Sequence, residues 1–490
     1  MASLSDRAAF LIVANALKYA VGFVMPMVLV RMLSKDDYGT YQQLALLATL
    51  GVAIMVVGLP NSVYYFHERS DPARNKVLAL QTAGMLVASG ALTALLLVFG
   101  APAIAALMKN QALAPLLVYY GTAIGFLVAS EHFVQFMIAH DRYQVAVLVE
   151  TVETVVRVLV LIAPLVAGYG LTGLVAAALG YAMLRFALRS VWLVAPLGSL
   201  AKPPGQVWFV GEQLAYSVPL GLMSLVGVVG SQLDRAIIAT VFAPADYAIY
   251  SVGALEIPLD AIFQASVATV LRASMPALIR DGRHDEVVRL LREGVRKLSL
   301  IVLPCFVFLL AYAYEFITVL FTEQYAPSVN VFRIYVFLIP LNMFILSPVP
   351  PAYGRTTINF YIVACVTVLH VILSFALLHW IGFYGPAVST IVTAYLISTV
   401  YFVFARRLTG GTVATLLPLG TFAKVLAVSA VAAGAGKLLL GGVSRSLAGL
   451  AASGLLFAVA FVTLCAVTGV FTAADRQLAR RWIGRIIGTK

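Results

Sequence analysis

Cysteine is almost absent from this chain: three in 490 residues. None stands in a CxxC or a Cys/His ligand spacing, which excludes a disulfide framework and a zinc site. Cys305, Cys365 and Cys465 fall inside apolar runs and are expected to be reduced, buried small hydrophobes. Charge is scarce as well, at 11% of residues, and acid is scarcer than base, 21 against 33. There is no P-loop, no HExxH and no nucleotide fingerprint, so an ATPase engine or a zinc peptidase in this chain is not expected. Six histidines are scattered. His370 and His379 lie in one apolar run, but nine residues of rise place them about 13 Å apart, too far for one metal. No cofactor is expected.

What fills the chain instead is hydrocarbon. Hydrophobic residues make up 62% of it, and the mean hydropathy is +0.97. A helix needs about 20 apolar residues to cross a bilayer and must satisfy its backbone internally. Apolar runs lie near 8–30, 40–66, 77–99, 113–137, 145–167, 172–195, 209–233, 247–275, 298–320, 330–350, 358–380, 384–405, 419–440 and 447–470. The first has no small-residue cleavage site and reads as a retained helix. The expected fold is an all-α membrane protein of about fourteen transmembrane helices.

Arg and Lys are unevenly shared between the connections. One set carries Arg69, Arg74, Lys76, Arg142, Arg185, Arg189, Lys202, Arg406, Arg407, Lys424, the 280–297 segment and the 473–490 tail. The other carries Arg31, Lys35, Lys109, Arg235, Lys437 and Arg445. The positive-inside rule then puts both termini in the cytoplasm. The net charge of +12 is mostly this bias, and no basic soluble module is present to bind nucleic acid. Within 280–297, Val287, Val288, Leu290, Leu291, Val295 and Leu298 form an apolar stripe between charges, as in a short amphipathic helix on the membrane surface.

The chain repeats itself. Asp37, Tyr38 and Tyr41 match Asp246, Tyr247 and Tyr250 at an offset of 209. Gly170-Leu171-Thr172-Gly173 lines up with Gly382-Phe383-Tyr384-Gly385 at an offset of 212. Two anchors at nearly one offset argue for two six-helix lobes inserted the same way round, as in transporters built from parallel repeats. The competing explanation is convergent turn chemistry. The organisation expected is a lobe over 1–200, a lobe over 201–410, two additional helices over 411–472 and a basic cytoplasmic tail over 473–490.

The run Leu33-Ser34-Lys35-Asp36-Asp37-Tyr38-Gly39-Thr40-Tyr41, entered from Asn15-Ala16-Leu17-Lys18-Tyr19 and followed by Gly58-Leu59-Pro60-Asn61-Ser62, resembles the polysaccharide-transporter (Wzx-type) flippases of the multidrug/oligosaccharidyl-lipid/polysaccharide exporter superfamily. The resemblance implies two six-helix lobes with two C-terminal helices, in a bacterial cytoplasmic membrane. It also implies alternating access and export of a polyprenyl-diphosphate-linked oligosaccharide through a cationic central cavity, with the polyprenyl tail left in the lipid. A polysaccharide polymerase and chain-length machinery are the implied protein partners.

Ionisable groups inside spans are costly and mark cavities or partners. Asn15, Lys18, Gly22 and Pro26 share one face of the first run. Glu150, Glu153 and Arg157 share a face of the fifth, with Glu153 and Arg157 four residues apart, as in a neutralising structural pair. A diphosphate asks for Lys or Arg, which makes Lys18, Arg157 and Arg272 the candidate substrate cations, with Asn15 beside them. Glu256 and Asp260, also four apart, should titrate or hold a cation, and are the candidates for coupling to H+ or Na+. A hydrated wall without coupling is the other reading of that pair. Two further functions compete. A drug or metabolite cation antiporter needs an acidic cavity, against which Lys18 and Arg157 speak. A glycan polymerase or ligase needs a large catalytic loop outside the membrane, and the connections here are short. An enzyme is therefore not expected. Pro26, Pro60, Pro219, Pro258 and Pro348 are candidate bends.

Overall fold

The computed structural model describes residues 4–197, 200–255, 257–440, 445–472, 475 and 477. Among these, every regular element is helical. The chain divides into two compact units, Met1–Ser251 and Val252–Lys490.

The first unit holds α1 (Leu4–Met32), α2 (Lys35–Met55), α3 (Leu59–His67), α4 (Pro72–Phe99), α5 (Ala101–Leu107), α6 (Leu113–Ala129), α7 (Phe133–Ala139), α8 (Tyr143–Val166), α9 (Gly170–Leu197) and α10 (Val210–Val241), and most of α11 (Pro244–Gly253). Local chemistry starts these helices. The Ser34 Oγ accepts from Asp37 N (3.1 Å) ahead of α2, and Asp71 accepts from Arg74 N (2.7 Å) ahead of α4. Small residues set the packing. At the α4–α6 crossing a Cβ on Gly125 would lie 2.5 Å from the Gly90 carbonyl oxygen. Gly125→Val should therefore lower the thermal stability of the purified protein by about 1–3 kcal/mol or more. Differential scanning fluorimetry in detergent would check it.

The repeated motifs meet inside this unit. A Cβ on Gly39 would overlap the Pro244 carbonyl, so the glycine of the first motif seats the start of the second. Tyr38, Tyr247 and Tyr250 are buried, and the Tyr250 hydroxyl donates to Asp234 on α10 (3.1 Å). Gln43 donates to the Met108 and Ala239 carbonyls (3.1 and 3.0 Å), joining α2 to α10. At its other end α10 is held by Gln213, which donates to Ser62 and Thr82 (both 2.8 Å) and accepts from Gln81 (2.7 Å). Buried polar side chains of this kind demand full satisfaction, and here they tie helices together.

The second unit holds α12 (Pro258–Arg280), α13 (His284–Ala311), α14 (Ala313–Phe321), α15 (Ser328–Val336), α16 (Val349–Ala352), α17 (Thr356–Ile381), α18 (Gly385–Thr409), α19 (Val413–Leu416), α20 (Leu419–Leu440) and α21 (Leu447–Val467). The hairpin α17–α18 turns at Gly382, whose φ of +61° suits glycine. Helix α20 packs on α13 and α21, and Lys437 reaches Glu315 of α14 (3.0 Å). Beyond α21, Asp475 takes a fork from Arg296 of α13 (2.9 and 2.9 Å). The rest of the 473–490 tail, Gln477 excepted, lies outside the described residues.

The Asp475 carboxyl is held below the usual carboxylate range, first by the Arg296 hydrogen bonds and then by Thr472, against its partial burial. A lowered folded pKa stabilises above the unfolded value of about 3.9 and is lost only as pH falls through the folded value. The tether should thus survive mild acid, down to about pH 5. Asp475→Asn should loosen it at neutral pH and speed limited proteolysis after residue 470.

Several expectations change. The 280–297 stripe is not a separate surface helix but the first half of α13, with Val287, Leu291, Val295 and Leu298 buried along one face. The runs 247–275 and 330–350 are broken, the first before Pro258 and the second at a 3-10 turn over Ile339–Met343 and again before α16. Proline without an N–H cannot continue the ladder at these places. Of the cysteines, Cys465 is buried, Cys305 is half-buried and Cys365 is exposed. Nine stretches among the described residues are long and apolar enough to cross a membrane. Helix α8 is not one of them, because every eighteen-residue stretch of it contains Glu150, Glu153 and Arg157.

Candidate functional site

The charges that set α8 apart face a cavity of about 400 Å³ within the first unit. Four helices besides α8 wall it: α1, α2, α6 and α9. From α1 comes Lys18, from α8 Glu150, Glu153 and Arg157, and from α9 Arg185 and Arg189. Tyr41, Tyr120 and Tyr181 add three phenols, one each from α2, α6 and α9. Four cations thus face two carboxylates.

Pairing decides which charges remain. The Lys18 ammonium donates to Glu150 Oε2 at 2.6 Å, both side chains being about one third exposed. Arg189 donates a fork to Glu153, Nε to Oε1 at 2.9 Å and Nη2 to Oε2 at 2.6 Å, and its Nη1 donates to the Ser130 carbonyl at 3.0 Å. Arg185 donates to Glu131 at 2.7 Å, with its Nε 3.6 Å from Glu153. Among the described residues Arg157 has no ion-pair or hydrogen-bond partner. A guanidinium left over in a polar pocket, beside three phenols, is suited to an anion that brings several acceptor oxygens.

Lys18 and Arg157, offered by the sequence as candidate cations on two separate helices, both line this cavity. The structure differs on the neutralising pair: Glu153 is joined to Arg189 and Arg185 across to α9, not to Arg157. Glu150, on the same face of α8, pairs with Lys18 of α1. Arg185 and Arg189, counted as connection charges, lie well inside α9 and line the cavity. Their position within the 172–195 run and their four-residue spacing were the signal that could have found them. Arg272 is exposed in the second unit, where it lines a groove with Ser347 and Asn359. Glu256 lies outside the described residues, as do the side chains of Asn15 and Asp260. Among the described residues no group of three or more His, Cys, Asp or Glu is arranged to hold a metal.

The model of the family described as "Polysaccharide biosynthesis protein" matches residues 28–330, more than half of the chain. The chain belongs to this polysaccharide biosynthesis family. Its fold is that of the multidrug/oligosaccharidyl-lipid/polysaccharide (MOP) exporter superfamily. The lipid II flippase MurJ in an inward closed conformation superposes with a TM-score of 0.73 at 13% identity, covering 94% of this chain and 98% of MurJ. An inward-facing multidrug resistance MATE transporter gives 0.63 at 12% identity, covering 82% and 98%. A MOP transporter from Pyrococcus furiosus, described as having a binding pocket of reverse polarity, gives 0.55 at 12% identity, covering 82% and 94%. No curated protein sequence matches.

Proposed function

We propose that this member of the family flips a polyprenyl-diphosphate-linked oligosaccharide across a bacterial cytoplasmic membrane, for the assembly of a surface polysaccharide. It does so without covalent chemistry, by alternating access, with both termini in the cytoplasm. The observation that carries the reading is the cationic surplus of the first-unit cavity, concentrated on Arg157. The diphosphate docks on Arg157 and competes with Glu150 for Lys18. The phenols of Tyr41, Tyr120 and Tyr181 meet phosphate or sugar oxygens, and the polyprenyl chain stays in lipid, which costs nothing to solvate. The organisation into lobes over 1–200 and 201–410, with helices over 411–472 added, and the roles of Asn15, Arg272 and a polysaccharide polymerase as partner, belong to the same proposal.

The cation-antiporter alternative is less well supported. Both carboxylates of the cavity are already held by cations, so a cationic drug would have to displace an arginine fork or an ammonium. Coupling to H+ or Na+ is assigned to Glu256 and Asp260 on the cost of carboxylates in a membrane segment, and no longer on a shared helical turn, since α12 begins at Pro258. A Glu256→Gln/Asp260→Asn protein should then export at a rate insensitive to collapse of the proton or sodium gradient.

Deleting the gene and assigning lipid-linked oligosaccharides to leaflets, by mass spectrometry after external glycosidase, tests the reading. A complete, glycosidase-protected pool in the inner leaflet is expected. An unchanged pool with heightened sensitivity to cationic drugs would overturn it in favour of the antiporter. Lys18→Gln should slow export severalfold, less than loss of Arg157, because Glu150 already competes for the ammonium. Export at the wild-type rate would remove Lys18 from the site.

A further inference from the structure

Glu153 and Arg157 stand four residues apart on α8 with the carboxylate first, the order in which a helix pairs such residues best. They do not pair, and the reason lies on α9. Arg189 is almost wholly buried, with 3% of its side chain exposed. It grips both oxygens of Glu153, fixes its own third arm on the Ser130 carbonyl and rests over the Phe133 ring at 5.2 Å. The Tyr181 hydroxyl donates to the Glu153 carbonyl (3.2 Å), which holds α9 in register with α8.

We propose that Arg189 is a positioning residue that makes this cavity select anions, because it clamps Glu153 and so leaves Arg157 without an internal counter-ion. The inference rests on the reading that Arg157 meets the cargo's phosphate. Without Arg189, Glu153 is a carboxylate in a low-dielectric wall and must find another cation. Arg185 is committed to Glu131 and offers only Nε at 3.6 Å. Arg157, one turn away, is the open partner, with side-chain origins about 5–6 Å apart. A new Glu153–Arg157 pair would cancel the free guanidinium that the anion needs. The buried clamp therefore works through Glu153 and need not touch the cargo. Removing Arg189 would therefore act twice: it takes away one cation and silences Arg157.

The test uses purified full-length protein in phosphatidylcholine nanodiscs and inorganic diphosphate as the probe, with binding followed by calorimetry. Arg157→Gln and Arg189→Gln should each weaken binding by about tenfold or more. Adding Glu153→Gln to Arg189→Gln should restore it to within about threefold of wild type, since no carboxylate is left to occupy Arg157. A double variant as weak as Arg189→Gln would overturn the clamp, as would an Arg189→Gln protein that binds like wild type. Diphosphate binding that survives Arg157→Gln would instead overturn the underlying reading of the site. Should Arg189→Gln not be recovered folded, Arg189→Lys keeps the charge and loses the fork, and its comparison with Glu153→Gln/Arg189→Lys reads the same rescue.

Discussion

Replacing Arg157 by Gln is expected to cut export by about tenfold or more while the protein still accumulates in the membrane. The reason is that Arg157 is the cavity cation with no internal partner among the described residues. Lys18, Arg185 and Arg189 each already serve a carboxylate, so a substrate must compete for them. Arg157 asks for no such exchange. A hydrogen bond to a charged group contributes about 1.5–3 kcal/mol, which is roughly 10- to 150-fold in binding. Folding should tolerate the change, since no ion pair is broken and the residue is exposed to the cavity. Arg157→Lys should recover only part of the rate, because an ammonium lacks the planar fork that matches phosphate. The ratio of inner- to outer-leaflet lipid-linked oligosaccharide in complemented deletion cells reads the effect. Equal ratios for wild type and Arg157→Gln would exclude this arginine from the path.

Gly39→Val should be the most damaging single change to the fold. Helix α2 begins one residue after its Ser34 cap, and Gly39 faces the Pro244 carbonyl at the start of α11. That carbonyl belongs to the backbone and cannot swing aside as a side chain does. Valine must push α2 and the α10–α11 corner apart, which would pull Gln43 from the Ala239 carbonyl and uncover the buried Tyr38 and Tyr247. Overpacking of this kind costs about 1–3 kcal/mol, and breaking a buried hydrogen bond adds about 1–3 kcal/mol more. The expected outcome is a sharply reduced yield of monodisperse protein on size exclusion, with a lowered midpoint in whatever is recovered. Gly22→Val, at a position where a Cβ meets nothing within 4 Å, is the matched control and should behave as wild type.

Most of the apolar runs and the two motif anchors could be read directly from the chain, because membrane insertion is a local rule: about 20 apolar residues, internal hydrogen bonds, and caps such as Ser34 and Asp71. Lys18, Glu150, Glu153 and Arg157 could each be singled out for the same reason, since charge within such a run needs an account. The partners could not be read. The four-residue spacing of Glu153 and Arg157 is a property of one helix, while the rotation of α9 that presents Arg189 to Glu153 depends on how α6, α8 and α9 pack. Arg185 and Arg189 were passed over for a related reason: only the packing of α9 on α8 shows that these two charges face a cavity rather than a connection. The breaks at Pro258 and before α16, and the fusion of the 280–297 stripe into α13, likewise turn on whether a proline or a turn meets a neighbour able to take up the freed backbone group. Composition and periodicity thus determined that this chain is a helical membrane protein with a charged interior wall. Only the tertiary structure decided which of those charges neutralise one another and that Arg157 is left over, because ion pairing between helices is set by distances and angles that spacing along one helix does not contain.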